Sequence, residues 1–190
     1  MCPKTVTQNK IIREERRSHI LKVALNIFGN EGYHASSINR IAKEANISKG
    51  LIYTYFESKE DLLKTLIFDL TDSILEKYPN EDNSLESTDI EFFIDNTIDF
   101  VLEDVSRAKL LFSLGSQPGV MDIIIQKVME KMLPFMNLIT NYFKKNKVED
   151  AHAMMYYFFS VLDGVQMQMI NNPNFPTEKI RTIIKKQFLK

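Results

Sequence analysis

Cysteine is almost absent from this chain: the only one, Cys2, sits at the extreme N-terminus. It cannot form an internal disulfide, so stability must come from a packed core, and such usage suits a reducing cytoplasm. Long apolar runs are missing too. The longest, Ala153 to Leu162, stops at Asp163 and is far short of the ~20 residues that span a bilayer. The opening MCPKTVTQNK lacks the apolar centre of a secretory signal. These absences lead to the expectation of a soluble, cytoplasmic protein without a membrane partner. Groups for catalysis are equally sparse. None of His19, His34 and His152 has a neighbour at metal-ligand spacing, and the pair Glu149 and His152 is an ordinary surface arrangement. The chain has no nucleophile elbow, no Cys–His arrangement, no dinucleotide fingerprint and no glycine-rich phosphate loop. Strand-like alternation and internal repeats are absent as well. Nothing asks for an enzyme, a metal or a cofactor, and the expected fold class is all-α.

What the chain does have is an uneven charge distribution and strong helical periodicity. Its 190 residues suffice for one domain or two small ones sharing a core, and 44% are hydrophobic. Residues 1–64 carry eleven Lys/Arg against seven Asp/Glu, while residues 65–190 carry thirteen against eighteen. A basic N-terminal third on an acidic remainder fits a nucleic-acid-binding head on a body with another task. Residues 1–10 are polar and read as a mobile arm. The first helix is predicted over about Ile11 to Asn30, with a buried stripe of Ile20, Leu21, Ala24, Leu25 and Phe28 and with Gly32 as its stop.

The organising stretch is SINRIAKEANISKGLIYTYFESKED, Ser37 to Asp61. Ile38, Ile41, Ala42 and Ala45 recur at i, i+3, i+4 and i+7 behind a capping serine, Ser37 or Ser36. Asn46 tolerates the left-handed backbone that ends a helix abruptly. Ser48 then caps a second helix in which Ile52 and Phe56 face inward with Ile47, while Lys49, Gly50, Leu51, Tyr53, Thr54 and Tyr55 point elsewhere. This is the pattern of a helix-turn-helix whose second helix is free to enter a DNA major groove.

With ALNIFGNEGY ahead of it and SKEDLL behind, the stretch resembles the TetR family of bacterial transcriptional repressors from about Ala24 to Leu63. Asn46 stands where the family often has Gly, and Leu51 where it frequently has a small polar residue. The resemblance implies that Tyr53 and Lys59 contact the DNA backbone. From the residues themselves, Ser37 can bond a phosphate, cap its helix, or do both, and Ser48 shares that position at the next helix. Candidate base contacts are Lys49, Gly50, Leu51, Thr54 and Tyr55, with Asn39 and Arg40 from the preceding helix. Lys49 can donate to guanine, and Gly50 permits close approach. Leu51 can meet a thymine methyl or pack in the core. Arg40 reads as a backbone contact or a surface residue.

Ser58 caps a helix predicted to reach about Tyr78 and to join head to body, giving domains 1–57 and 58–190. A polar linker, Pro79 to Thr88, follows. Helices are then expected over about Asp89 to Asp104, Ala108 to Leu114, Val120 to Lys145 (kinked or divided by Pro134), Met154 to Ile170 and Thr177 to Phe188. Eight of the nine Met lie at or beyond Met121, and a body rich in Met and Phe packs adaptably around an apolar ligand. The resemblance implies a cavity there, for which Phe92, Phe93, Ile98, Phe112, Met121, Met129, Met132, Met136 and Phe159 are candidate walls, with plain core as the alternative for each. Asp163 interrupts an apolar run and faces a cavity, a partner or solvent. The last two helices match the family's dimerisation helices in position. That implies a homodimer on a near-palindromic double-stranded operator. The expected function is a repressor released from DNA by a small apolar effector. The rivals are a regulator or activator that answers to no ligand, and a helical carrier or enzyme without DNA binding.

Overall fold

The computed structural model describes residues 6–76 and 84–189. Among them are nine helices and no strand, in the order α1 (Val6–Glu31), α2 (Ile38–Glu44), α3 (Lys49–Tyr53), α4 (Lys59–Leu75), α5 (Ser87–Glu103), α6 (Val105–Gly115), α7 (Val120–Lys145), α8 (Ala151–Asn171) and α9 (Thr177–Phe188). None is long and apolar enough to cross a membrane. The all-α expectation therefore holds, and the differences lie at helix ends. The predicted arm is already helical from Val6, whereas residues 1–5 fall outside the described part. No breaker separates Val6 from Ile11, so a helix nucleated on the buried Ile20–Phe28 stripe propagates backwards through polar residues. The expected linker at 79–88 lies in part outside the described residues, and its end belongs to α5. The Glu86 amide donates to the Asp89 carboxylate at 2.8 Å, and that cap starts α5 at Ser87.

Pro134 does not divide α7, which is continuous across it. The residue is exposed, as is Glu130, whose carbonyl loses its helical donor and can turn to water. Phe135, Leu138 and Ile139, all buried, hold the helix down just beyond it.

Two compact units make up the chain: Met1–Leu70 with Leu110–Gln126, and Thr71–Lys109 with Lys127–Lys190. In the first, Phe28, Ile41, Ile52, Phe56, Leu62 and Leu63 are at most 2% exposed. α6 is docked on the end of α1 at Gly29, where a Cβ would lie 2.6 Å from Leu110 Cδ2 and 3.1 Å from its Cα. Glycine allows that approach as it stands, whereas a side chain there would require Leu110 to turn and its backbone to give by a few tenths of an ångström. Ser113 Oγ donates to Gly29 O at 2.9 Å, Gln117 Nε2 donates to Phe28 O at 2.7 Å, and Gln117 Oε1 accepts from Tyr33 N at 2.6 Å. The start of the loop into α2 is thereby fixed by a side chain 84 positions away.

In the second unit α5 packs against α8 and α9 over a core that includes Ile90, Phe93, Ile94, Ile98, Phe135, Phe143, Phe158 and Phe188. Its rings interlock: Phe93 lies 5.1 Å from Phe135 and 5.8 Å from Phe158, centroid to centroid. Arg181 of α9 binds Asp95 at 2.8 Å and Asp99 at 2.6 Å, and Lys185 binds Asp95 at 2.7 Å and Glu91 at 3.0 Å, all across to α5.

Candidate nucleic-acid interface

Capping serines set both helices of the motif. Ser37 Oγ accepts from Arg40 N at 3.2 Å and Ser48 Oγ from Leu51 N at 3.1 Å, satisfying first-turn amides that have no helical acceptor. Between the helices Asn46 adopts φ +53°, the left-handed turn expected of it. α4 starts in the same way, with Ser58 Oγ accepting from Asp61 N at 2.9 Å and the Asp61 carboxylate accepting from Glu57 N at 2.9 Å.

α3 buries Ile52 completely, half-buries Leu51 and turns Lys49, Gly50 and Tyr53 outward. Lys49, Gly50, Tyr53 and Thr54 are exposed, together with Ser37 and Asn39 of the preceding segment and Ser48 at the cap. Thr54 Oγ1 donates to Leu51 O at 2.7 Å, and Lys49 Nζ lies 5.8 Å from the Tyr53 ring centroid. Leu51 and Tyr55 are half-buried. Leu51 lines a cavity of about 190 Å³ together with Glu15, Arg16, His19, Ile20 and Ile47, so it faces α1. Tyr55 lies beneath Arg13, whose guanidinium carbon is 5.5 Å from its ring centroid.

Two of the basic candidates are already engaged within the protein. Arg40 binds Glu31 at 2.8 Å and Glu44 at 2.7 Å. Hydrogen bonds first to Glu44 and then to Glu31 raise its pKa further above the ordinary range. Lys59 turns back onto the loop before α2: its Nζ donates to Tyr33 O at 2.8 Å and Ser36 O at 2.9 Å, more weakly to His34 O at 3.4 Å, and sits 4.5 Å from the Tyr33 ring centroid. Burial pushes its ammonium below the usual lysine range. The carbonyls work the other way, because only the protonated amine can donate to all three. α1 adds two cations that the periodicity alone did not mark as site residues, Arg13 and Arg16. Their signal was an arginine-rich face on the helix before the motif.

The proposed wall residues of the body divide. Phe93, Ile98, Met132, Met136 and Phe159 belong to or pack against the core of the second unit. Phe92 and Met129 are exposed, and Phe112 and Met121 belong to the first unit. Asp163 is exposed on α8, and desolvation by its neighbours raises its carboxyl above the usual range.

An exposed recognition-type helix on a capped tight turn, braced by α1, defines a helix-turn-helix regulator. The sequence model of the tetR family of bacterial regulatory proteins matches residues 20–66. A helix-turn-helix transcriptional regulator of Bacillus subtilis, YhgD, itself uncharacterized, is 30% identical over 143 residues, covering 72% of this chain and 69% of that protein. The regulator HbdR of Aromatoleum sp. is 38% identical over 76 residues, covering 40% of this chain but only 33% of HbdR. The chain belongs to the tetR family of bacterial regulatory proteins. Its fold is shared with the crystal structure of FadR from Bacillus subtilis in complex with stearoyl-CoA. That match has a TM-score of 0.72 at 19% identity and covers 91% of this chain and 97% of that one.

Proposed function

We propose that the protein is a transcriptional repressor that holds an operator through residues 1–57 and is released by an apolar small molecule bound within residues 58–190. The observation that carries the DNA reading is the outward strip of α3. Gly50 there has no fold-based reason to be glycine: a Cβ would meet only Ser48 Oγ, at 4.0 Å. Glycine is the poorest helix former after proline, and although its cost is smaller in the first turn, where Gly50 stands, close approach of a DNA strand gives it a use. Around Gly50, Lys49, Thr54 and Asn39 can reach base edges, and Tyr53, Ser37 and Ser48 can reach phosphate or sugar. Leu51 and Tyr55 enter this reading as the edge of the helix next to α1, and Arg40 and Lys59 as supports of the motif.

Two copies related by a two-fold axis would read successive major grooves of a near-palindromic site. α8 and α9 suit the dimer contact, because Tyr156, Tyr157, Met167 and Ile183 leave large apolar side chains exposed there. For the effector, the Met- and Phe-rich body supports an apolar molecule. The first class to test is a long-chain acyl-CoA, whose acyl chain would be the apolar part held by the body, after the FadR complex with stearoyl-CoA. Phe93 already packs on three other rings, so a ligand at that point must displace or reorient them. Such a ligand shifts the protein towards the conformation it prefers.

Linkage makes this testable. If stearoyl-CoA weakens operator binding by a factor of roughly 10 to 100, about 1.4 to 2.8 kcal/mol of coupling, operator DNA must weaken stearoyl-CoA binding by the same factor. Calorimetric titration with and without the operator duplex reads both. Equal acyl-CoA affinity in the two titrations would remove this class as the inducer.

A further inference from the structure

The basic residues of the head are not equally available to DNA. Arg17 binds Asp69 at 2.6 Å, Lys64 binds Glu60 at 2.6 Å, and Arg40 and Lys59 are engaged as described above. Among the described residues, Lys10, Arg13, Arg16, Lys22, Lys43 and Lys49 make no ion pair. Two of these, Arg13 and Arg16, lie on the α1 face beside the α3 segment.

At about 100° per residue, Lys49 and Tyr53 share one edge of the outward surface of α3, Leu51 and Tyr55 share the other, and Gly50 and Thr54 lie between. The helical path carries on through this second edge, since Tyr55 N and Phe56 N both donate to Ile52 O, at 2.9 and 3.0 Å. Arg13 lies over Tyr55, and Arg16 shares a cavity with Leu51. Cations therefore border both edges, Lys49 on one side and the α1 arginines on the other. A helix seated in a major groove about 12 Å wide has a phosphate strand along each wall. Charge on both edges is what such a position requires.

We propose that Arg13 and Arg16 form a second set of phosphate contacts, gripping the DNA strand along the Leu51–Tyr55 edge of α3. This rests on the reading of α3 as the DNA-contacting helix. The Tyr55 ring lies under the Arg13 guanidinium in a cation–π contact, which leaves its N–H groups free for phosphate oxygens. Glu15, next to Arg16 on α1, lines the same cavity and opposes an approaching phosphate, so its charge limits the affinity the two arginines can supply.

The test uses the full chain and a duplex recovered from a random 40-base-pair library by binding to the wild-type protein. Affinity is measured by fluorescence anisotropy between 50 and 300 mM KCl for the wild type, Arg13→Gln, Arg16→Gln, Arg13→Lys and Glu15→Gln. Each neutralised arginine should lower the slope of log affinity against log salt by about 0.9 for every phosphate it no longer neutralises, and by twice that in a dimer. The preferred sequence should stay the same, Arg13→Lys should restore the slope, and Glu15→Gln should tighten binding. Wild-type slopes in both glutamine variants would overturn the inference and leave the reading of α3 standing. So would weaker binding at unchanged slope that tracks a lower melting temperature, the mark of a structural role. Failure of the wild-type protein to enrich any duplex would remove the underlying reading itself.

Discussion

Replacing Lys59 with Met should loosen the N-terminal unit by about 2 kcal/mol, the net loss expected when a charged donor is removed from buried carbonyl acceptors. The substitution keeps the apolar stem and deletes the ammonium. Tyr33 O and Ser36 O lose a donor, in a loop where Ser36 is buried and its Oγ already donates to Tyr33 O at 2.6 Å. Lys59 is the tie from the first turn of α4 to the segment that launches α2, so its loss frees the motif at its entrance. Arginine is a poor substitute, because a planar fork does not match three carbonyls converging on one point. Hydrogen exchange of the Tyr33–Ser36 amides should accelerate roughly 30-fold in Lys59→Met. DNA affinity should fall alike on all sequences, with the salt slope unchanged once the folded fraction is accounted for. The opposite pattern, normal exchange with a slope reduced by about 0.9 per phosphate, would make Lys59 a phosphate ligand and not a strut.

The second large effect belongs to the α5–α9 ion network. Arg181→Met leaves Asp99 without its cation and Asp95 with Lys185 alone. Removing one partner of a fully buried pair costs ~3–5 kcal/mol, and exposed pairs are worth ~0–1. The Arg181 side chain is 13% exposed but that of Asp99 is 50% exposed, which places the loss near 2 kcal/mol. The loss should also depend on pH. Burial alone would raise the Asp95 carboxyl, but hydrogen bonds from Lys185 and Arg181 outweigh it and hold the group below the usual range. A carboxylate depressed on folding contributes stability above its unfolded pKa of about 3.9, and that contribution disappears as pH falls through the folded value. Wild type should therefore lose stability on acidification below about pH 4, and its advantage over Arg181→Met should shrink over the same range. Denaturant melts at pH 7, 5, 4 and 3 measure this. A pH-independent difference would show that Arg181 acts through packing.

Much of the head was legible in the sequence because its signals are local. A capping serine speaks for amides three residues ahead, as Ser37 and Ser48 do, and Asn46 needed only its own backbone tolerance to mark the turn. Periodicity likewise placed Ile41, Ile52 and Phe56 in the core. What the sequence did not show involves partners distant in the chain. Nothing near Lys59 reveals that its acceptors are carbonyls 23 and 26 positions upstream. Arg40 has one visible partner four residues on, Glu44, and a second, Glu31, nine residues back across a turn. Leu51 showed two possible faces, and only the fold brings it beside Arg16. In the body, apolar composition marked Phe93 and Ile98 as inward but not whether their neighbours would be other side chains or a ligand. Composition alone also left Phe92 and Met129 looking like walls, although both are exposed.

The central claim is that α3 presents a DNA-reading surface. It is tested most directly by incubating the full chain with a random duplex library, sequencing the bound fraction, and measuring affinity for the recovered sequence at 50 and 200 mM salt. The account predicts enrichment of one near-palindromic site whose half-sites lie a helical turn or a multiple of it apart, bound at least roughly tenfold more weakly at the higher salt. A bound fraction indistinguishable from the input library, with no salt-dependent affinity for any duplex, would contradict it.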